Sequence, residues 1–218
     1  MITMQQATKQ FSSATSRKTL WHESVEDLIT QLAAPKGTVG ILYTSEDLAP
    51  FLGKMLDQLR LKTGVTDWAG ASGYGTISHT EEIFGESSAT VIVLDLPPDA
   101  YRVFSGNADV GTLLSAKETE WLAEATMPLA ISHVDPRHPH AMEAISNLAE
   151  MTGSFLIGGL TAASSDSPHL VNDQKTCMSG IAVSPMKAEI FTGLSQGCSP
   201  ISETLTVTKA QQNIIIEL

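Results

Sequence analysis

Basic residues are scarce in this chain. Thirteen lysines and arginines stand against twenty-four aspartates and glutamates, for a formal charge of −11. A surface of that sign repels phosphate backbones and anionic headgroups, so neither nucleic acid nor a membrane is expected as a principal partner. Long apolar runs are also lacking, and stretches such as residues 89–96 are far too short to span a bilayer. The opening residues, MITMQQATKQFSSATS, have no apolar centre of the kind a secretion signal needs. A cytoplasmic location is therefore expected. Cysteine is limited to Cys177 and Cys198, which make neither a disulfide framework nor a CxxC metal site. Two reduced, mostly buried thiols are expected instead.

What is present suits a packed globular domain. Hydrophobic residues make up 42% of the chain, enough for a substantial core at this length. Residues 1–10 are polar and read as a flexible tail, and residues 11–218 read as a single domain. Residues 38–44, TVGILYT, are an apolar strand. After them Leu48, Phe51, Leu52, Met55, Leu56 and Leu59 recur on one helical face, with Asp47 as the expected N-cap and Gly64 as the stop. VTDWAGASGYG then reads as a strand running into a glycine-rich turn. The same grammar returns after Pro128: the strand PLAISHV, a helix with Met142, Ile145, Leu148 and Ala149 inward, Gly153 as the stop, and SFLIGGLTAAS.

Each unit is followed by a hairpin-like pair of strands, residues 88–106 in the first and 178–197 in the second. The pattern predicts an α/β fold of mixed β-sheets covered by helices, with an internal β-α-β-β-β duplication and a pseudo-twofold relation between the halves. Two further helices are expected over residues 22–33 and 115–125, the latter opened by a capping box of Ser115 and Glu118.

Ligands in open α/β sheets collect beyond the carboxyl ends of parallel strands. Both glycine turns fall there: Gly70, Gly73 and Gly75 in the first half, Gly158 and Gly159 in the second. Glycine lets backbone N–H groups approach a ligand, and Ser72, Tyr74 and Thr161 add hydroxyls nearby. GASGYG lacks the Gly-Lys-Ser/Thr ending of a phosphate loop and the full GxGxxG spacing. His133, His138 and His140 gather around Asp135, but His138 and His140 diverge once helical geometry begins, so no metal site is expected. No cofactor is implied. Cys198, in GLSQGCSP, sits in no recognisable nucleophile motif and reads as a small, buried, pocket-side residue.

The closing segment, GLSQGCSPI…TVTKAQQNIIIEL, resembles the signature of the N-terminal FIST domain (F-box and intracellular signal transduction proteins). The matching residues are Ser195, Gln196, Gly197, Cys198, Pro200, Ile201, Val207, Thr208, Ala210, Asn213, Ile215, Glu217 and Leu218. Upstream, VDPRHP, FLIGGL and EEIFGESSATVIVLDLP are similar to the family's middle segments, so that the resemblance covers about residues 11–218. It implies a sensory module for small ligands, amino acids or their derivatives, with no established catalytic cysteine. A C-terminal FIST domain and an output domain are the partners it implies, and the C-terminal FIST domain is expected to be absent from this chain.

The first expectation is thus a non-enzymatic sensory domain for a small polar ligand, an amino acid or small carboxylate. Its site would be built from Ser72, Tyr74, Gly158, Gly159, Thr161, Ser195, Gln196, Gly197 and Cys198. Two alternatives stand beside it: a thiol hydrolase pairing Cys198 with His133 or His169, and a scaffold that docks a protein through its acidic surface.

Overall fold

A computed structural model describes residues 11–33, 35–106, 116–125, 127–162, 170–171, 178–193, 197–212 and 214–218. The expected flexible tail, the Ser115 cap, Cys177, His169, Ser195, Gln196 and Asn213 lie outside the described residues. In chain order the first elements are β1 (Phe11–Ser16), α1 (Trp21–Leu32), β2 (Val39–Ser45), α2 (Leu52–Thr63) and β3 (Asp67–Gly73). A short hairpin follows, β4 (Gly75–Ile77) with β5 (Glu82–Phe84), and then β6 (Ala89–Leu94). Next come β7 (Tyr101–Gly106), α3 (Ala116–Glu124), β8 (Leu129–Val134), α4 (Ala141–Thr152), β9 (Phe155–Leu160) and β10 (Met178–Val183). An exposed hairpin, β11 (Lys209–Gln211) and β12 (Ile214–Glu217), ends the chain.

The strands form two four-stranded sheets of the same design. One runs β1-β6-β2-β3 and the other β7-β10-β8-β9. In each, the last two strands are parallel and the other pairings antiparallel. A helix joins each parallel pair, as a parallel connection requires: α2 between β2 and β3, α4 between β8 and β9.

Side-chain alternation places the layers. Along β2, Val39, Ile41 and Tyr43 face the second sheet, while Leu42 packs with Leu28, Met55 and Leu59 of the helices. Along β10, Ile181 and Val183 face the first sheet, while Met178 and Ala182 pack with Trp121, Leu122 and Leu148. A residue period of two thus puts one face of each sheet against helices and the other against its companion sheet. The result is four layers, helices–sheet–sheet–helices. Tyr101 fastens the middle, its hydroxyl 2.9 Å from the Thr38 carbonyl and 3.0 Å from Asp67 Oδ2.

The helices follow their periodicity. Leu52, Met55, Leu56 and Leu59 of α2 are buried, and Gly64 closes the helix in the left-handed region at φ +74°. Gly153 does the same for α4 at φ +59°. Three local expectations are corrected. Asp47 is not an N-cap, because residues Glu46–Phe51 form a 3-10 turn that starts one residue after Ser45, and α2 begins only at Leu52. Met142 is 68% exposed, because Ala141, Ala144 and Leu148 turn the buried face of α4 away from it. Residues 88–106 are not a hairpin: β6 lies in the first sheet and β7 in the second, each an antiparallel neighbour of a different strand. Among the described residues the matching stretch after β10 forms no strand either, since the chain turns through hydrogen bonds from Lys187 and Ala188 to the Ser184 carbonyl.

Candidate functional site

Gly70 and Gly158 set the geometry of the site. Each stands inside the second strand of a parallel pair with positive φ, +135° and +115°. A Cβ at Gly70 would lie 1.9 Å from the Leu42 carbonyl oxygen, and one at Gly158 2.1 Å from that of Ser132. Only glycine takes this backbone at this distance, so the neighbouring strand closes in on it. Leu42 is opposite Gly70 and Ser132 opposite Gly158. The next residues along the partner strands, Tyr43 and His133, therefore hold corresponding places in the two sheets.

Those two side chains meet across the gap between the sheets. The Tyr43 hydroxyl lies 2.8 Å from His133 Nε2, with the rings edge-on at a centroid distance of 5.3 Å. They stand in the wall of a cavity of about 350 Å³ at the carboxyl ends of both parallel pairs. Ala71, Ser72 and Gly73 from β3, Thr76 and Ile77 from β4, and Gly158, Gly159 and Leu160 from β9 complete most of its lining, with Thr161 just beyond β9. Thr161 is fixed by a 2.8 Å hydrogen bond from its N–H to the Val134 carbonyl.

Burial governs the chemistry of the pair. It pushes the His133 pKa down to about 4, and the Ser179 backbone across the ladder opposes this only weakly. It pushes Tyr43 up to about 12. Both groups are uncharged at neutral pH, and their contact is a neutral hydrogen bond. His133 and Thr161 are 6% and 8% exposed, and His133 Nδ1 and Thr161 Oγ1 have no hydrogen-bond partner of ordinary geometry among the described residues. Buried polar atoms without partners are uncommon in folded proteins and call for an explanation.

The expected site residues divide. Ser72, Gly158, Gly159 and Thr161 line this cavity. Tyr74 does not: it is half exposed and borders a separate depression with Ser45, Asp47 and Ser87. It sits at the bend between β3 and β4, and while its neighbours Gly73 and Gly75 line the cavity, it does not. Gly197 and Cys198 are exposed and outside the cavity wall. The expectation of a buried Cys198 is corrected, since the chain runs exposed from Gly197 to Gln212 and does not return to the core there. His133, the histidine considered as its catalytic partner, is engaged with Tyr43 instead. Among the described residues no three histidines, cysteines or acids come together as metal ligands.

Sequence reasoning missed Tyr43 and considered His133 only for other roles. The rule about carboxyl ends could have found both, had it been applied to the first strand of each parallel pair as well as to the glycine turn of the second. A family model described as FIST N domain matches residues 38–218. The match begins after α1, so β1 and α1, which complete the first sheet and its helical cover, lie outside it. No curated protein matches the chain.

Proposed function

Because the chain belongs to the FIST N domain family, a family of sensory domains in signal transduction, we propose that it is a small-molecule sensor whose ligand occupies the cavity between the two sheets. The observation that carries this reading is a pair of buried polar atoms, His133 Nδ1 and Thr161 Oγ1, that have no hydrogen-bond partner of ordinary geometry among the described residues and belong to side chains in the wall of one cavity. Turning either side chain toward the cavity would let a ligand supply hydrogen bonds that the folded chain leaves unmade. Ser72 and the backbone of Gly158 and Gly159 would add further polar contacts, and no catalytic step is assigned to any of them. The output would pass to a partner domain, with the chain working in the cytoplasm. Among the described residues no helix is long and apolar enough to cross a membrane.

A thermal-shift screen of amino acids, short peptides, small organic acids and amides tests the reading, with nucleotides as controls. A ligand at a hundred times its dissociation constant adds about 2.7 kcal/mol. For a domain of this size that raises the melting temperature by roughly 5–10 °C. A Cβ at Gly159 would meet nothing within 4 Å, so Gly159→Val is expected to fill the mouth of the cavity while the backbone stays in place. The shift should vanish in that variant while the melting temperature of the unliganded protein stays close to the parent's. A shift that survives the substitution places the ligand elsewhere.

A further inference from the structure

Among the described residues the cavity has hydroxyls, an imidazole and backbone amides in its wall, but no lysine, arginine, aspartate or glutamate. A charged ligand would therefore give up its hydration without meeting an opposite charge, which costs several kcal/mol per ion. Where α/β folds do take anions, helix N-termini beyond the strand ends supply the compensation. Here those places carry the chain's own carboxylates. The turn after β2 opens with Glu46 and Asp47, and Asp47 Oδ1 accepts a hydrogen bond from Ser45. The turn after β8 opens with Asp135, which holds Arg137 at 2.7 Å, and the first turn of α4 carries Glu143, 2.9 Å from His140. The cation nearest in sequence to the site is thus already matched. The formal charge of −11 opposes anions at longer range as well.

His133 does not supply a positive charge unaided. The groups set against it are Tyr43 from β2, Ser179 from β10 and Gly159 from β9, none of them charged. Resting on the sensor reading above, we propose that the cavity takes an uncharged molecule, with a compact apolar body and a neutral hydrogen-bonding group such as an amide or alcohol, and that an anion enters only together with a proton. This narrows the ligand class away from the free carboxylates and zwitterions that the glycine turns first suggested. Ala71, Ile77, Leu160 and Ala162 supply the apolar wall for the body. Tyr43, His133, Ser72 and Thr161 supply the polar one.

Matched acid and amide probes test it: butanoate with butanamide, benzoate with benzamide, and N-acetylleucine with N-acetylleucinamide. Each is titrated into the full chain while the amide NMR signals of Ser72, Gly158, Gly159 and Thr161 are followed. At neutral pH the amides should bind at least tenfold more tightly than their acids. As pH falls from 8 to 6, acid affinity should rise by about a hundredfold, one proton entering with each anion, while amide affinity stays constant. An acid that binds as tightly as its amide, with no dependence on pH, overturns the ligand class and leaves the cavity as the site. If no probe moves those signals at millimolar concentration, both the sensor reading and the proposal fall.

Discussion

β3 and β9 hold the same place at the edge of their sheets, yet they meet solvent differently. β3 is buried through its middle, from Trp68 to Ser72, whereas β9 exposes Phe155, Ile157 and Leu160. Composition would have suggested the reverse, since FLIGGL is more apolar than DWAGASG. Among the described residues the difference lies in what covers each outer edge. Leu170 bridges Ala71 in antiparallel fashion, and the Val171 N–H donates to the Gly70 carbonyl at 3.1 Å. Leu170 and Val171 are themselves 4% and 1% exposed. No described residue covers the outer edge of β9 in this way. A strand's burial is decided by the segment laid beside it, and its own hydrophobicity does not report that segment.

Paired substitutions put this contrast to the test. Trp68 and Leu156 hold corresponding places, but Trp68 is fully buried and Leu156 only partly. Trp68→Ala should cost about 3–5 kcal/mol in chemical denaturation and Leu156→Ala roughly half of that. Equal losses would mean that the two edges are equally covered in solution. At the glycines, Gly70→Ala forces a Cβ into the Leu42 carbonyl between two held strands, with an expected loss of about 3 kcal/mol or more. Gly158→Ala makes the same clash with Ser132, but β9 can draw back toward solvent, so its loss should be nearer 1 kcal/mol.

Tyr43 and His133 differ in the pH range where each matters. The unfolded chain protonates His133 near its ordinary 6.5, while the folded protein resists until about 4. In that interval the unfolded state binds the extra proton, so stability falls as pH drops from 6.5 to 4, by as much as ~3 kcal/mol. Denaturation curves across that interval should show the slope, and His133→Gln should flatten it. Tyr43, raised to about 12, adds nothing there and loses stability only as pH climbs above 10. The smallest effect is expected at Cys198. Cys198→Ser should change stability by less than about 0.5 kcal/mol, and in the native protein the exposed thiol should react readily with a disulfide reagent. Protection from that reagent would show the tail folded back over the thiol.

The helical faces were legible because a period near 3.6 marks them locally, as Leu52, Met55, Leu56 and Leu59 do, and because Gly64 and Gly153 stop the helices in a conformation glycine favours. Sheet membership was not, since the alternation in Tyr101–Gly106 says that it is a strand but not which strand it joins. The same limit explains the site. That Gly158, Gly159, Ser72 and Thr161 line one cavity was legible because a parallel pair ends where they stand. Tyr43 and His133 come together only because two sheets pack face to face, a relation between residues 90 positions apart that neither local sequence encodes. Tyr74 sits at the bend between β3 and β4 and borders another depression, a turn of the chain that its local sequence does not reveal.

The cover on β3 also has a history in time. Ala71 and its partner Leu170 are joined by a backbone that the ribosome must finish making before the bridge can form. At roughly 5–20 residues per second, several seconds to some twenty seconds separate their synthesis. During that interval β1, β2, β3 and β6 can already pair, because all four lie before residue 95. The nascent first sheet therefore waits with its β3 margin raw, open to any extended chain nearby, until its own later residues arrive to occupy it.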